Sequence, residues 1–171
     1  MTAIVIDTNV LLVADGQGKH MSEECLIECV TRLERVRTSE QIVLDDGWFI
    51  LGEYQNKLDL NGQPTPGNAF VKRLLQEHQR IDWVTITPTN AEQTTFKEFP
   101  LDSALEQAFD PADRKFVAAS NAHPKKPPIL EAADSKWLGW EAQLKVHGIK
   151  VEYLCRSELE TIRERKTKKK R

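Results

Sequence analysis

Four carboxylates stand where one element of this chain gives way to the next, in surroundings that are otherwise apolar. They are Asp7 in IVIDTNVLL, Glu53 in FILGEYQNKL, Asp113 in DPADRKFVAAS and Asp134 in ILEAADSKWLGW. Carboxylates gathered by a fold repel one another, and a cation is the usual remedy. Oxygen-only donor sets suit Mg²⁺ or Mn²⁺, ions that commonly act on phosphate esters. The residue types therefore point to metal-dependent phosphodiester chemistry. The histidines His20, His78, His123 and His147 form no helical ligand pair and read as structural or surface groups.

Each acid also has an ordinary explanation. Asp7 and Asp134 can cap the helices that follow them. Asp110-Pro111-Ala112-Asp113 reads as a helix start, with Asp110 as the cap, proline at the first helical position and Asp113 favouring the helix dipole. Glu53 falls inside an apolar stripe of Phe49, Ile50, Tyr54 and Leu58, where a glutamate reaches solvent only from the edge. What outweighs these explanations is the set: three acids at strand ends or helix starts, and one on an apolar helix face.

The elements that must position them follow from periodicity. Residues 3–6 are a β-branched apolar run ending at Asp7, and residues 42–44, 83–86, Ile129–Glu131 and 149–154 read as further strands. Helices are expected over 22–37, with Ser22 as cap, Leu26, Val30 and Leu33 on one face and acids and arginines opposite. Others are expected over 45–58, around Phe70, Val71, Leu74, Leu75 and His78, over 103–109, from Pro111 to the HPKKPP break, and over 136–146 with Gly148 as the stop. Residues 61–67 are a breaker segment and 87–100 a loop. Strands alternating with helices predict an α/β fold, a three-layer α/β/α sandwich around a central, mostly parallel sheet. Ligand sites in such sheets lie beyond the carboxyl ends of the strands, where Asp7 and Asp134 fall.

Composition sets bounds. The 171 residues fit one domain, and 40% hydrophobic content suffices for one core. No apolar run approaches a membrane span, and the opening residues carry no basic leader pattern. Cys25, Cys29 and Cys155 read as reduced packing residues of a cytoplasmic protein. Net charge is −2, but residues 163–171 hold seven Lys/Arg and one Glu, which leaves the rest at −8. An acidic body argues against broad polyanion binding and is compatible with an acidic pocket served by local basic contacts.

Taken together, these segments resemble the PIN-domain nuclease family. IVIDTNVLL is similar to that family's first strand and its Asp-Thr-Asn start, and ILGEY to the helix carrying its second acid. DPADRKFVAA is similar to the helix carrying the third, and AADSKW to the turn carrying the fourth. The resemblance covers roughly residues 3–154. It implies Mg²⁺- or Mn²⁺-dependent cleavage of single-stranded RNA, or less often structured nucleic acid. It also implies that Asp7, Glu53, Asp113 and Asp134 are the catalytic metal ligands and that Asn9 supports the pocket. The fourth motif departs from many members in having Ala133, where they carry Thr or Ser, before the acid.

Residues 1–155 thus read as a PIN-like domain and 156–171 as a basic tail. The tail reads as a solvated end, whose functional role would be phosphate contact through Lys168, Lys169 and Lys170. Arg114 and Lys115, and Lys125 and Lys126 in HPKKPP, can make such contacts more locally. Trp137 and Trp140, at i,i+3, read as packing. RNA is the expected substrate, with DNA open. Also open are a toxin held by an antitoxin or other protein partner, RNA processing or defence, and self-association. One competing class is a non-catalytic nucleic-acid-binding or scaffold domain that retains the fold. Another is a doubly wound phosphatase, but those often use Asp-x-Asp where this chain has Asp7-Thr8-Asn9.

Overall fold

A computed structural model describes residues 1–18 and 20–171. Five strands, β1 (Thr2–Ile6), β2 (Glu40–Asp45), β3 (Ile81–Val84), β4 (Ile129–Glu131) and β5 (Val151–Tyr153), form one sheet in the order β3-β2-β1-β4-β5, and every pairing is parallel. Among the described residues, eight α-helices surround it: α1 (Thr8–Ala14), α2 (Glu23–Ser39), α3 (Phe49–Lys57), α4 (Pro66–Gln76), α5 (Ser103–Ala108), α6 (Arg114–Ala122), α7 (Trp137–Val146) and α8 (Arg156–Lys169). The result is the expected three-layer α/β/α sandwich.

Strand order decides where a site can form. The chain steps outward from β1 through β2 to β3, then crosses back to β4 and leaves toward β5. Right-handed crossovers then put the helices that connect β1, β2 and β3 on one face and those that connect β3, β4 and β5 on the other. The direction of travel reverses between β1 and β4, and that reversal opens a crevice at the carboxyl ends of these two strands. Ile4, Val5, Ile6, Ile42, Val43, Leu44, Ile129 and Leu130 are buried, as strands covered on both faces require.

Several expectations are corrected by local chemistry. The helix expected from residue 45 begins at Phe49, because Asp45 caps it from the strand end: Oδ2 accepts from Phe49 N at 2.8 Å and Oδ1 from Ile50 N at 2.9 Å. The turn between them needs Trp48 in the left-handed region, at φ 63°. α4 starts inside the breaker segment, where Pro66 opens the helix and Asn68 Oδ1 accepts from Thr65 N at 2.9 Å. Ser22 caps α2 as expected, accepting from Cys25 N at 3.1 Å. The arginines of α2 are not all solvated: Arg32 is buried between Glu40 and Glu152, tying α2 to β2 and β5.

The basic end is not a free tail. It forms α8, whose first turn is anchored by fully buried Leu159 and by Glu158, which accepts from Ser22 N and Oγ at 2.6 and 2.7 Å. Nor are the cysteines all reduced packing residues. Cys25 in α2 and Cys155, just before α8, form a disulfide, and Cys29 remains a buried free thiol. Disulfides persist in oxidising settings, so this pairing withdraws the ground on which a cytoplasmic protein was expected. Among the described residues, no helix is long and apolar enough to cross a membrane.

Candidate metal centre

Asp7 follows β1 at the crevice and occupies the cap position of α1. Its Oδ1 accepts from Asn9 N at 3.3 Å, while Oδ2 is buried with no N–H or O–H donor. Burial holds its carboxyl well above the ordinary range, and the neighbouring carboxylates Glu131 and Glu53 push it further up.

Glu131 is the residue that sequence reasoning missed. It ends β4 opposite Asp7 and is fully buried. Its Oε1 accepts from Asn9 Nδ2 at 2.6 Å and from the backbone N–H groups of Ala132, Ala133 and Asp134 at 3.1, 3.1 and 2.9 Å. Oε2 is buried with no N–H or O–H donor, and the Glu131 carboxyl meets that of Asp7, so that one proton can bridge the two. Burial raises its pKa to about 7 despite these donors. One signal was available: a glutamate closing an otherwise apolar three-residue strand has no solvent to reach.

Asn9 knits the two strand ends together. Besides donating to Glu131, its Oδ1 accepts from Ala132 N at 3.1 Å and Ala133 N at 3.3 Å. The turn after β4 is thus held from below by Asn9 and Glu131, although the residue before Asp134 is alanine. Asp134 Oδ1 accepts from Lys136 N at 3.0 Å.

Asp113 differs from expectation. α6 begins at Arg114, one turn later than Pro111 suggested, so Asp113 itself stands at the cap position. Its carboxylate makes no capping bond, and Asp110 instead accepts from Ala112 N at 3.1 Å. Capping therefore does not account for Asp113. Burial, then the charges of Asp7, Asp110 and Asp134, raise its pKa to about 8. The approaches to Asp113 and Asp134 share one support. Phe109, just before Asp110, stacks on Trp140 with ring centroids 3.9 Å apart and meets Trp137 edge-on at 5.1 Å. Trp137 and Trp140 are packing residues, as expected.

Glu53 is already partnered. Thr8 Oγ1 donates to Oε1 at 2.5 Å, and the Lys115 ammonium pairs with Oε2 while donating to Ala112 O. Lys115 is accordingly buried, not the surface phosphate contact expected. Arg114 is likewise committed, donating to Thr94 O and Phe109 O at 3.3 and 3.4 Å. Lys125 and Lys126 are exposed but precede β4, at the end of the sheet opposite the acids; Lys126 Nζ donates to His147 O at 2.8 Å.

No family model, curated protein or solved structure matches the chain. The case for any family therefore rests on the chain's own residues and their arrangement.

The donor set can be tested against a hard divalent ion. Two buried carboxyls on facing strand ends, near an Asp113 that makes no capping bond, are relieved by such an ion, or without one by a proton shared between Asp7 and Glu131. Against this, the only three Cys, His, Asp or Glu donors within 4.8 Å of one another among the described residues are the two sulfurs of the Cys25–Cys155 disulfide and the Cys29 thiol. No three of the carboxylates come that close among the described residues. Asp7, Asp113 and Asp134 supply oxygen donors of the type that Mg²⁺ or Mn²⁺ takes, but they are not drawn into a tight ligand cluster, and Glu53 is held by Lys115.

Proposed function

We propose that this protein is a divalent-metal-dependent endonuclease of the PIN-domain type, acting on single-stranded RNA. The observation that carries this reading is the pair of buried carboxyls, Asp7 and Glu131, that face each other at the crevice between β1 and β4 with no N–H or O–H donor to Asp7 Oδ2 or Glu131 Oε2. Mg²⁺ or Mn²⁺ held there would supply charge to the scissile phosphate and acidify a water. The chain's own part is electrostatic and positional. Asp7, Asp113 and Asp134 would hold the ion, and Asn9 fixes the two strand ends that carry Asp7 and Asp134. Lys115 keeps Glu53 neutralised and offers a cation beside the site.

A second reading is a nucleic-acid-binding domain of the same fold without catalysis. The Glu53–Lys115 pair favours it, since an internal cation already occupies the second acid of the motif. One experiment separates the two: purified protein with labelled single-stranded RNA and DNA, in Mg²⁺, Mn²⁺ or EDTA. Metal-dependent RNA cleavage that disappears in Asp7→Asn supports the nuclease. Binding without cleavage under every condition supports the second reading.

A further inference from the structure

α8 gathers Arg163, Lys166, Lys170 and Arg171 beside the turn that follows Asp134. A cleft of about 360 Å³ lies between the turn after Asp134 and the last turns of α8, lined by Ser135, Lys136, Arg163, Lys166, Lys170 and Arg171. Arg163, Lys166 and Lys170 recur at intervals of three and four and so share one face of the helix. Two of its side chains reach α7 and the turn before it. Lys166 Nζ donates to Ser135 Oγ at 3.3 Å, and the Arg163 guanidinium lies over Gly139, where an added Cβ would come within 2.6 Å of it.

Lys136 is paired with Asp110 at 3.0 Å. Among the described residues, Arg163, Lys166, Lys170 and Arg171 form no ion pair. On a body that is otherwise acidic, a fold-held row of unpaired cations raises a local field that a polyanion relieves. Ser135 and Lys136 directly follow Asp134, so the cleft opens where a chain leaving the acidic crevice would pass. We propose that this cleft docks the sugar-phosphate backbone of single-stranded RNA, next to the phosphate presented to Asp7, Asp113 and Asp134. The proposal rests on the nuclease reading of that crevice. It also moves the expected contacts from a free tail to one helical face: Lys170 lines the cleft, and Lys168 and Lys169 do not.

The test is a fluorescence-anisotropy titration of a labelled single-stranded RNA 12-mer in EDTA, repeated over a range of NaCl concentrations. Each lost phosphate contact lowers the log–log salt slope by about 0.7, so R163Q/K166Q/K170Q should lower it by about 2 and K166Q alone by about 0.7. K125Q/K126Q, at the opposite end of the sheet, should leave the slope unchanged. All five substituted cations are exposed, and equal thermal midpoints check folding. An unchanged slope in both α8 variants, an equal loss in K125Q/K126Q, or no RNA binding by the native chain overturns the cleft. Cleavage in Mn²⁺ is scored separately. A native chain that fails to cleave, yet loses slope in the α8 variants, sinks the nuclease reading and leaves the cleft as an RNA dock.

Discussion

Asp113 and Glu131 make the crevice sensitive to pH. Their pKa values, about 8 and about 7, stand above the ordinary 3.8 and 4.5. Between about pH 4 and pH 8 the folded chain therefore binds more protons than the unfolded one, and stability falls as pH rises through that window. Thermal melts in EDTA should show a lower midpoint at about pH 8 than at about pH 5, and Asp113→Asn should flatten the trend. Saturating Mg²⁺ should also flatten it, adding about 2.7 kcal/mol at a hundred times its Kd. A midpoint that rises from pH 5 to pH 8 in EDTA would contradict the arrangement. Asn9→Ala tests the support of the site: it should weaken Mn²⁺ affinity by about 10–100-fold, measured by calorimetry, without removing any carboxylate. Asp110→Asn should largely preserve activity, since asparagine also caps turns and Asp113 is the uncapped acid. Lys115→Met should destabilise the metal-free protein, by roughly 3 kcal/mol at most, because Glu53 keeps some solvent contact, and divalent metal should recover part of the loss.

At the level of elements, α8 separates two deletions. Removing residues 163–171 leaves Leu159 and the Ser22–Glu158 contacts in place and should shift the thermal midpoint little. Removing 156–171 takes both away and should lower it measurably, by the about 2–5 kcal/mol expected of a buried leucine. Equal midpoints for the two truncations would mean that α8 is not docked. The strands and most helices were legible in the sequence because burial writes itself as apolar runs and helical spacing. α8 was not, because one buried leucine leaves almost no periodic signal in a run of charges. Asp7 and Asp134 were legible as acids beyond strand ends. Glu131 was hidden inside a strand, and the Glu53–Lys115 pair depends on α3 and α6 meeting in space, which spacing along the chain cannot express. The place of Asp113 was misread, since its helix starts at the residue after it and not at Pro111.

Across the whole molecule, the Cys25–Cys155 bridge closes a span of 130 residues. In the chain-entropy account such a loop restrains the unfolded ensemble by about 5 kcal/mol at most. Reduction, or C25S/C155S, should therefore lower the midpoint in urea or heat, while C29S should not remove the bridge. Circular dichroism melts with and without a dithiol reductant check this, and equal midpoints would show that the bridge contributes nothing.

The same bridge divides the chain mechanically. Residues 25–155 form a covalent ring that holds four of the five strands and Glu53, Asp113, Glu131 and Asp134. The central strand β1 and Asp7 lie outside it, on the open N-terminal arm. Force applied between the termini would reach the middle of the sheet first. It would draw out β1 and the terminal arms, while the ring, with no free end, could not lengthen beyond its link. Single-molecule pulling should then record a short extension, limited to the two arms at about 3.3–3.6 Å per residue. With a reductant present, the full contour of the chain should appear.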